Sequence, residues 1–294
     1  MMSTDASALD RLIVDVDERR SALIGVIRGA RRTITLSLFR CNDQAIFDEL
    51  AAAAVRGVDV DVLVTSRSKG GKKHREQLWS ALEATGALVH AYTDPVVKYH
   101  AKYLVADDGP AVVASLNFTR KCFRKTWDAL LITHDPDVVS GLKQLMAADC
   151  DEAPLPPDLS PRLIVGPERA RAQLTALLEN AKTSIRIIDA KLSDPDLVDL
   201  LKKRRADGIA VEIYGDKWIG SLKSHGKIIL VDDSTLVVGS LALAALSLDF
   251  RREIAIAVTD PEALAVARQL FTTIDAARRD ADEAPPAAAG EALL

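Results

Sequence analysis

Cysteine is scarce in this chain. Only three occur in 294 residues, Cys41, Cys122 and Cys150. An odd count with no close pair excludes a disulfide framework and a cysteine-based zinc module, so the three are read as inert or buried. Aromatic residues make up 4% of the chain, few for a platform that stacks bases. No run of about 18 apolar residues occurs, so no membrane-spanning helix is expected. Met1 to Arg11 has an acidic start and no apolar core before a small-residue cleavage site, so no secretory signal is expected. The formal net charge is −4, which argues against a whole-protein polyanion binder. What is abundant is apolar residue, 48%, enough for one large core or two half-size ones.

Against this plain background one pattern stands out because it occurs twice. His100-Ala-Lys102-Tyr-Leu-Val-Ala-Asp107 and His225-Gly-Lys227-Ile-Ile-Leu-Val-Asp232 both read His-x-Lys, four residues, Asp. At this composition one match arises by chance about 0.03 times per chain, so two are far outside chance. The same offset of 125 pairs Ser115 with Ser240 and Asp128 with Glu253, while Asn117 falls opposite Ala242.

The repetition extends upstream. Leu12-Ile-Val14 aligns with Leu163-Ile-Val165, Ile34 with Ile185 and Gly57 with Gly208, all at an offset of 151. The first half therefore carries extra residues between its Val58–Val64 strand and His100. Apolar spacing predicts helices over Ser21–Arg31 and Gln44–Arg56, the latter closed by Gly57, with strands at Thr33–Leu38 and Val58–Val64. The second half repeats them as Arg169–Ala181, Ser184–Asp189, Pro195–Ala206 and Ile209–Tyr214. The extra segment adds a basic loop (Ser66–Arg75), a helix near Glu76–Ala84 and a strand at Leu88–Tyr92. Strands alternating with helices predict an α/β fold, each half a mostly parallel sheet with helices on both faces. The expected organisation is residues 1–150 as the first half, a proline-bearing linker at 151–160, a second half at 161–275, and a disordered tail at 276–294.

His and Lys two apart on an extended segment project from one face. His100, Lys102, His225 and Lys227 can then converge on one phosphate. The lysines bind its oxygens, and Ser115, Asn117 and Ser240 can add hydrogen bonds. One histidine must be neutral to attack phosphorus and the other protonated to release the leaving alkoxide. A pseudo-two-fold between halves would make this a single site in a monomeric, internally duplicated chain. Lysines supply the positive charge, so neither metal nor cofactor is expected. His74, His90 and His134 lack such support and are read as surface or packing residues.

On these motifs the chain resembles the phospholipase D superfamily, whose members carry duplicated "HKD" motifs. The resemblance implies duplicated halves with one active site between them and a covalent phosphohistidine resolved by water or by an alcohol. It favours His100 as nucleophile and His225 as acid. It implies that Asp128 and Glu253 hold the far ring nitrogens of the histidines, and that Asp107 and Asp232 anchor local backbone. Ala242 in place of a second Asn departs from the family pattern and from a symmetric phosphate cradle.

Substrate stays open between two classes at this level. A phospholipid is favoured by apolar residues near the motifs, namely Phe118, Phe123, Trp218, Ile219, Leu222 and the run Leu241–Leu246, unless these simply pack. The basic stretches Ser66–Arg75 and Phe118–Lys125 suit an anionic lipid surface or a nucleic-acid backbone equally, while the glycine-bearing loop Ser66–Arg75 and the lack of an expected export signal or anchor favour a nucleic acid. Lys202–Arg205 reads as a solvated helix face. The leading expectation is a metal-independent phospholipase D-type phosphodiesterase, cytoplasmic and peripheral at the inner membrane face. A nuclease is the alternative.

Overall fold

The structure, a computed structural model, describes residues 9–66, 71–215, 218–219 and 221–283. In the first half the order is β1 (Asp10–Ile13), α1 (Arg19–Gly29), β2 (Thr33–Leu38), α2 (Gln44–Val55), β3 (Asp59–Thr65), α3 (Gly71–Glu83) and β4 (Leu88–Tyr92). Then come β5 (Lys98–Tyr99), β6 (Tyr103–Ala106), β7 (Ala111–Ala114), α4 (Arg120–Arg124), β8 (Thr126–Trp127), β9 (Leu130–Thr133) and α5 (Pro136–Cys150). The second half runs β10 (Leu163–Val165), α6 (Ala170–Glu179), β11 (Ser184–Ile188), α7 (Pro195–Ala206), β12 (Ala210–Tyr214), β13 (Trp218–Ile219) and β14 (Leu222–Ser224). It ends with β15 (Ile228–Val231), β16 (Thr235–Gly239), α8 (Ala245–Phe250), β17 (Arg251–Arg252), β18 (Ile254–Val258) and α9 (Pro261–Glu283).

Two large sheets repeat one topology. The first has the order β1-β9-β7-β6-β2-β3-β4 and the second β10-β18-β16-β15-β11-β12, so β4, from the extra segment, is the one strand without a mate. The α/β class and the duplicated halves hold, but the sheets are mixed rather than mostly parallel. Within these two sheets only β2, β3 and β4, and likewise β11 and β12, pair in parallel; the motif strands and those beyond them pair antiparallel. The cause is local. After each motif strand the chain turns at Asp107 or Asp232, both in the left-handed region (φ 52° and 54°), and returns as a hairpin with no crossover helix.

The two sheets face each other. Their inner faces, with α5 and α9, make one shared core that includes Tyr103, Val113, Leu142, Ile228, Val238 and Phe271. The outer face of the first sheet is covered by α1 to α4, and that of the second by α6, α7 and α8. Burying one such Leu, Val or Phe contributes about 1.5–3 kcal/mol, so the shared core is what holds the halves together. Arg162 adds ion pairs across the join, to Asp10 and to Asp135, the residue that caps α5.

Two expectations need correction here. Helix α9 runs to Glu283, into the stretch expected to be disordered, because Ile274 and Ala277 still meet the core and Ala and Arg favour helix. Residues 284–294 lie outside the described residues, as do Arg67 and Lys69 of the basic loop. Phe118 and Phe123 are buried in the outer core of the first half, their rings stacked at 6.3 Å, and Leu241 and Leu243 are buried in that of the second. They pack within their own halves and are not open to an acyl chain. Trp218 remains exposed.

Candidate active site

The two motifs meet across the pseudo-two-fold, and two small pairings set their geometry. β5, just before His100, pairs in parallel with β17 of the other half, just before Glu253. β14, just before His225, pairs in parallel with β8, just before Asp128. Each histidine is thereby carried to the carboxylate of the opposite half. His100 Nδ1 lies 3.1 Å from Glu253 Oε1, and His225 Nδ1 lies 3.0 Å from Asp128 Oδ2. Both carboxylates are fully buried, while the two rings keep partial exposure.

His100 and Lys102 sit in the extended link between β5 and β6, not on the strand itself, and His225 and Lys227 do the same between β14 and β15. The link is fastened at His100, whose N–H donates to the Arg252 carbonyl at 2.9 Å. Lys102 Nζ donates to the His100 carbonyl at 2.6 Å and lies 3.2 Å from its Nδ1, and Lys227 likewise donates to the His225 carbonyl. Between His225 and Lys227 stands Gly226, whose N–H donates to the Trp127 carbonyl at 2.6 Å. A Cβ there would lie 2.6 Å from that carbonyl oxygen and 3.3 Å from Asp128 Cα. Only glycine lets the motif lie so close to the acid-bearing strand.

Electrostatics set the protonation state of His100. Burial, then the charge of Lys102, pushes the His100 imidazole down to about 3 despite Glu253. At neutral pH it is uncharged. With Nδ1–H directed to Glu253, its Nε2 lone pair is free to attack. Burial alone would raise the Glu253 carboxyl. The His100 contact and the two lysines outweigh it and hold the group down to about 2. Burial pushes Lys102 down to about 7. Asp128 is held below the usual range because His225, Lys227 and the Thr126 hydroxyl outweigh its burial.

The serines expected on the phosphate are engaged elsewhere. Ser115 Oγ donates to Asp128 Oδ1 at 2.7 Å and accepts the Ala129 N–H at 2.9 Å. Ser240 Oγ accepts the Ile254 N–H at 3.1 Å. Both are buried and hold the acid-bearing strands in place. Asn117 is half-buried, with its Oδ1 unpartnered among the described residues, while at the matching position Ala242 is buried. The motif aspartates lie away from the histidines. Asp107 accepts the N–H groups of Arg31, Arg32 and Thr33, and Asp232 those of Lys182, Thr183 and Ser184, each fixing the start of a parallel strand.

Sequence spacing did not reveal three features of the site. Arg19, fully buried, donates to the Thr126 carbonyl at 2.7 Å and so braces the strand leading to Asp128. Arg252 joins Asp149 at 2.8 Å and Glu168 at 2.6 Å, fixing the residue beside Glu253. Cys122, Asp128 and His225 bring ligand-type atoms within 4.8 Å of one another, a grouping no spacing suggested. Asp128 is already committed there to His225, Ser115 and Thr126. The only signal available for Arg252 was its place next to Glu253.

Two buried carboxylate–histidine pairs and two lysines around one cleft, on a duplicated mixed-sheet α/β fold, are the groups that phosphoryl transfer through a histidine requires. Residues 23–150 match the family model described as cardiolipin synthase, PLD-like domain. Cardiolipin synthase A of Pseudomonas entomophila is 31% identical over 123 residues, 42% of this chain and 26% of that protein. The match spans about a quarter of such curated relatives. Among solved structures, polyphosphate kinase from Porphyromonas gingivalis superposes with a TM-score of 0.72 at 20% identity, covering 92% of this chain and 50% of that one. Phosphatidylserine synthase from Haemophilus influenzae Rd KW20 does so at 0.68 and 14%, covering 92% and 86%. These two show the fold. Over residues 23–150 the chain is similar to that PLD-like domain, and its second half repeats the same motif and strand order.

Proposed function

We propose that the chain is a phosphodiesterase and phosphatidyl transferase that acts on phospholipid head-group phosphodiesters. The observation that carries this reading is the crossed pair His100–Glu253 and His225–Asp128 at one cleft. His100 Nε2 attacks phosphorus, forming a P–N bond as the P–O bond to the head-group alcohol breaks. His225, its Nδ1 held by Asp128, gives a proton to the departing oxygen. Lys102 and Lys227 neutralise the phosphoryl oxygens as charge builds in the transition state. Water or a second alcohol, deprotonated by His225, then attacks the phosphohistidine and frees His100.

A lipid substrate draws its support from the relatives named cardiolipin synthase and from the exposed Trp218 on the short β13–β14 hairpin beside His225. No helix among the described residues is long and apolar enough to cross a membrane, so contact with lipid would be peripheral. The reading includes a monomer, since one chain supplies both histidines and both carboxylates. The test is a side-by-side assay on phospholipid vesicles and on single-stranded DNA, in EDTA. Release of head group with intact DNA is expected. DNA cleavage without lipid turnover would establish the nuclease instead.

A further inference from the structure

The two sides of the catalytic cleft are not alike, and the difference traces to two sequence positions. In the first half Phe39 follows β2 and packs edge-on against the His100 ring, with centroids 4.6 Å apart. Tyr99, just before His100, is buried and its hydroxyl meets Ser37 at 2.7 Å. These aromatics fill the space beside the nucleophile. At the repeat offsets their mates are Ala190 and Ser224. Both are small, and a cavity of about 300 Å³ opens where the rings would be. Its lining includes Ala190, Lys191, Lys223, Ser224, His225 and Lys227.

The lining chemistry is specific. Ser224 Oγ is buried and has no hydrogen-bond partner among the described residues, so a donor or acceptor is on offer to whatever enters. Three lysines face this space. The one carboxylate in the lining, Asp189, is spent on the backbone N–H groups of Lys191 and Leu243. Partial desolvation, then the charges of Lys227 and Arg251, hold the Lys191 ammonium below its usual range. An anion entering here would relieve that repulsion.

We infer that this cavity seats the alcohol partner of the reaction and selects an alcohol that bears its own negative charge, as phosphate or carboxylate. The inference rests on the proposed phosphatidyl transfer. It assigns the cavity beside His225 to the leaving alcohol in the first step and to the accepting alcohol in the second. In-line attack by His100 puts the departing oxygen on the His225 side, where the cavity lies. Lys191 and Lys223 bind the remote anion, Ser224 bonds a second hydroxyl, and the reacting hydroxyl meets His225.

The test uses the full chain with phosphatidylcholine vesicles as donor and glycerol, glycerol 3-phosphate or glycerate as acceptor. The ratio of transfer to hydrolysis product is read by mass spectrometry, because it depends only on what attacks the shared phosphohistidine. The charged acceptors should reach half-maximal transfer at concentrations at least about tenfold below glycerol, with the phosphate and carboxylate arms deciding which anion fits better. The double change Lys191→Ala with Lys223→Ala should erase that preference, so that charged acceptors need concentrations within about twofold of glycerol's. Ala190→Phe, which restores the first-half residue, should lower the transfer ratio about tenfold for every acceptor. An acceptor preference absent in the wild type, or retained in the double-lysine variant, overturns the inference. A calorimetric titration with glycerol 3-phosphate separates the two readings. Saturable binding lost in the double-lysine variant, in a protein that turns over no phospholipid, keeps the subsite and removes the proposed reaction. No saturable binding removes the subsite.

Discussion

Glu253 belongs to the second repeat, yet the ring it holds, at 3.1 Å, is that of His100 in the first. The mirrored contact joins Asp128 to His225 at 3.0 Å. The carboxylates are exchanged between halves, and the consequences for activity differ between the two pairs.

Removing the charge from each carboxylate should separate their roles. Glu253→Gln leaves His100 with an uncertain tautomer and should lower kcat about 10²–10⁴-fold whatever the leaving group. Asp128→Asn acts on proton donation, so an acidic leaving group such as p-nitrophenol should restore most of the loss in the first step. The rate of the pre-steady-state burst of leaving-group release on both substrate types checks this. Equal restoration in both variants would mean that the two histidines share one role.

One site demands both histidines. His100→Ala and His225→Ala should each lower turnover by about 10³-fold or more, with the double variant little worse. Two independent sites would instead leave about half the activity in each single variant.

The covalent intermediate assigns the nucleophile. With an acidic leaving group, His225→Ala should still accumulate phosphohistidine at position 100, and His100→Ala should form none. Peptide mass spectrometry after an alkaline quench locates the phosphoryl group. Its appearance on His225 in the wild type would reverse the assignment.

Lysine 102 should set an alkaline limit on substrate capture. Burial pushes its pKa down to about 7, so the ammonium that meets phosphate is present below that pH and lost above it. With a p-nitrophenyl substrate, which needs no proton from His225, kcat/KM should fall as pH rises through about 7. Lys102→Arg keeps its charge at every accessible pH and should carry the plateau upward. A profile flat to pH 9 in the wild type would exclude this role.

Gly226→Ala adds one methyl group where the Trp127 carbonyl oxygen would lie 2.6 Å away. The motif must shift from β8, stretching the His225–Asp128 contact, so kcat should drop about 10²-fold. Thermal denaturation should fall by several degrees, a cost of about 1–3 kcal/mol. The first half carries alanine at the matching position, Ala101, which is buried.

Much of this was legible in the chain. The strands Thr33–Leu38 and Leu88–Tyr92 and the helix Pro195–Ala206 match their predicted bounds, because alternation, flanking glycines and a capping Asp194 mark them. The antiparallel strands β7 and β9 were not read. Ala111–Ala114 and Leu130–Thr133 are buried on both faces, so they carry no period-two signal. That omission is why the sheets were expected to be mostly parallel. The site residues followed from duplication, but their pairing did not. A linear repeat says which residues correspond, not which half each will face. Arg19 and Asp149 were not legible for a related reason, since a charged residue gives no sign in sequence that it is buried, and Arg252 was marked only by its place beside Glu253.

The exchange of carboxylates has an evolutionary corollary. A self-sufficient half would need its own acid beside its own histidine, and neither half here has one. Once fused, the two copies could drift apart on their outer walls, as Phe39 and Ala190 have, while the exchanged pairs kept them from separating. Asymmetry in what the cleft accepts could therefore accumulate on one side without any loss of symmetry in the chemistry at its centre.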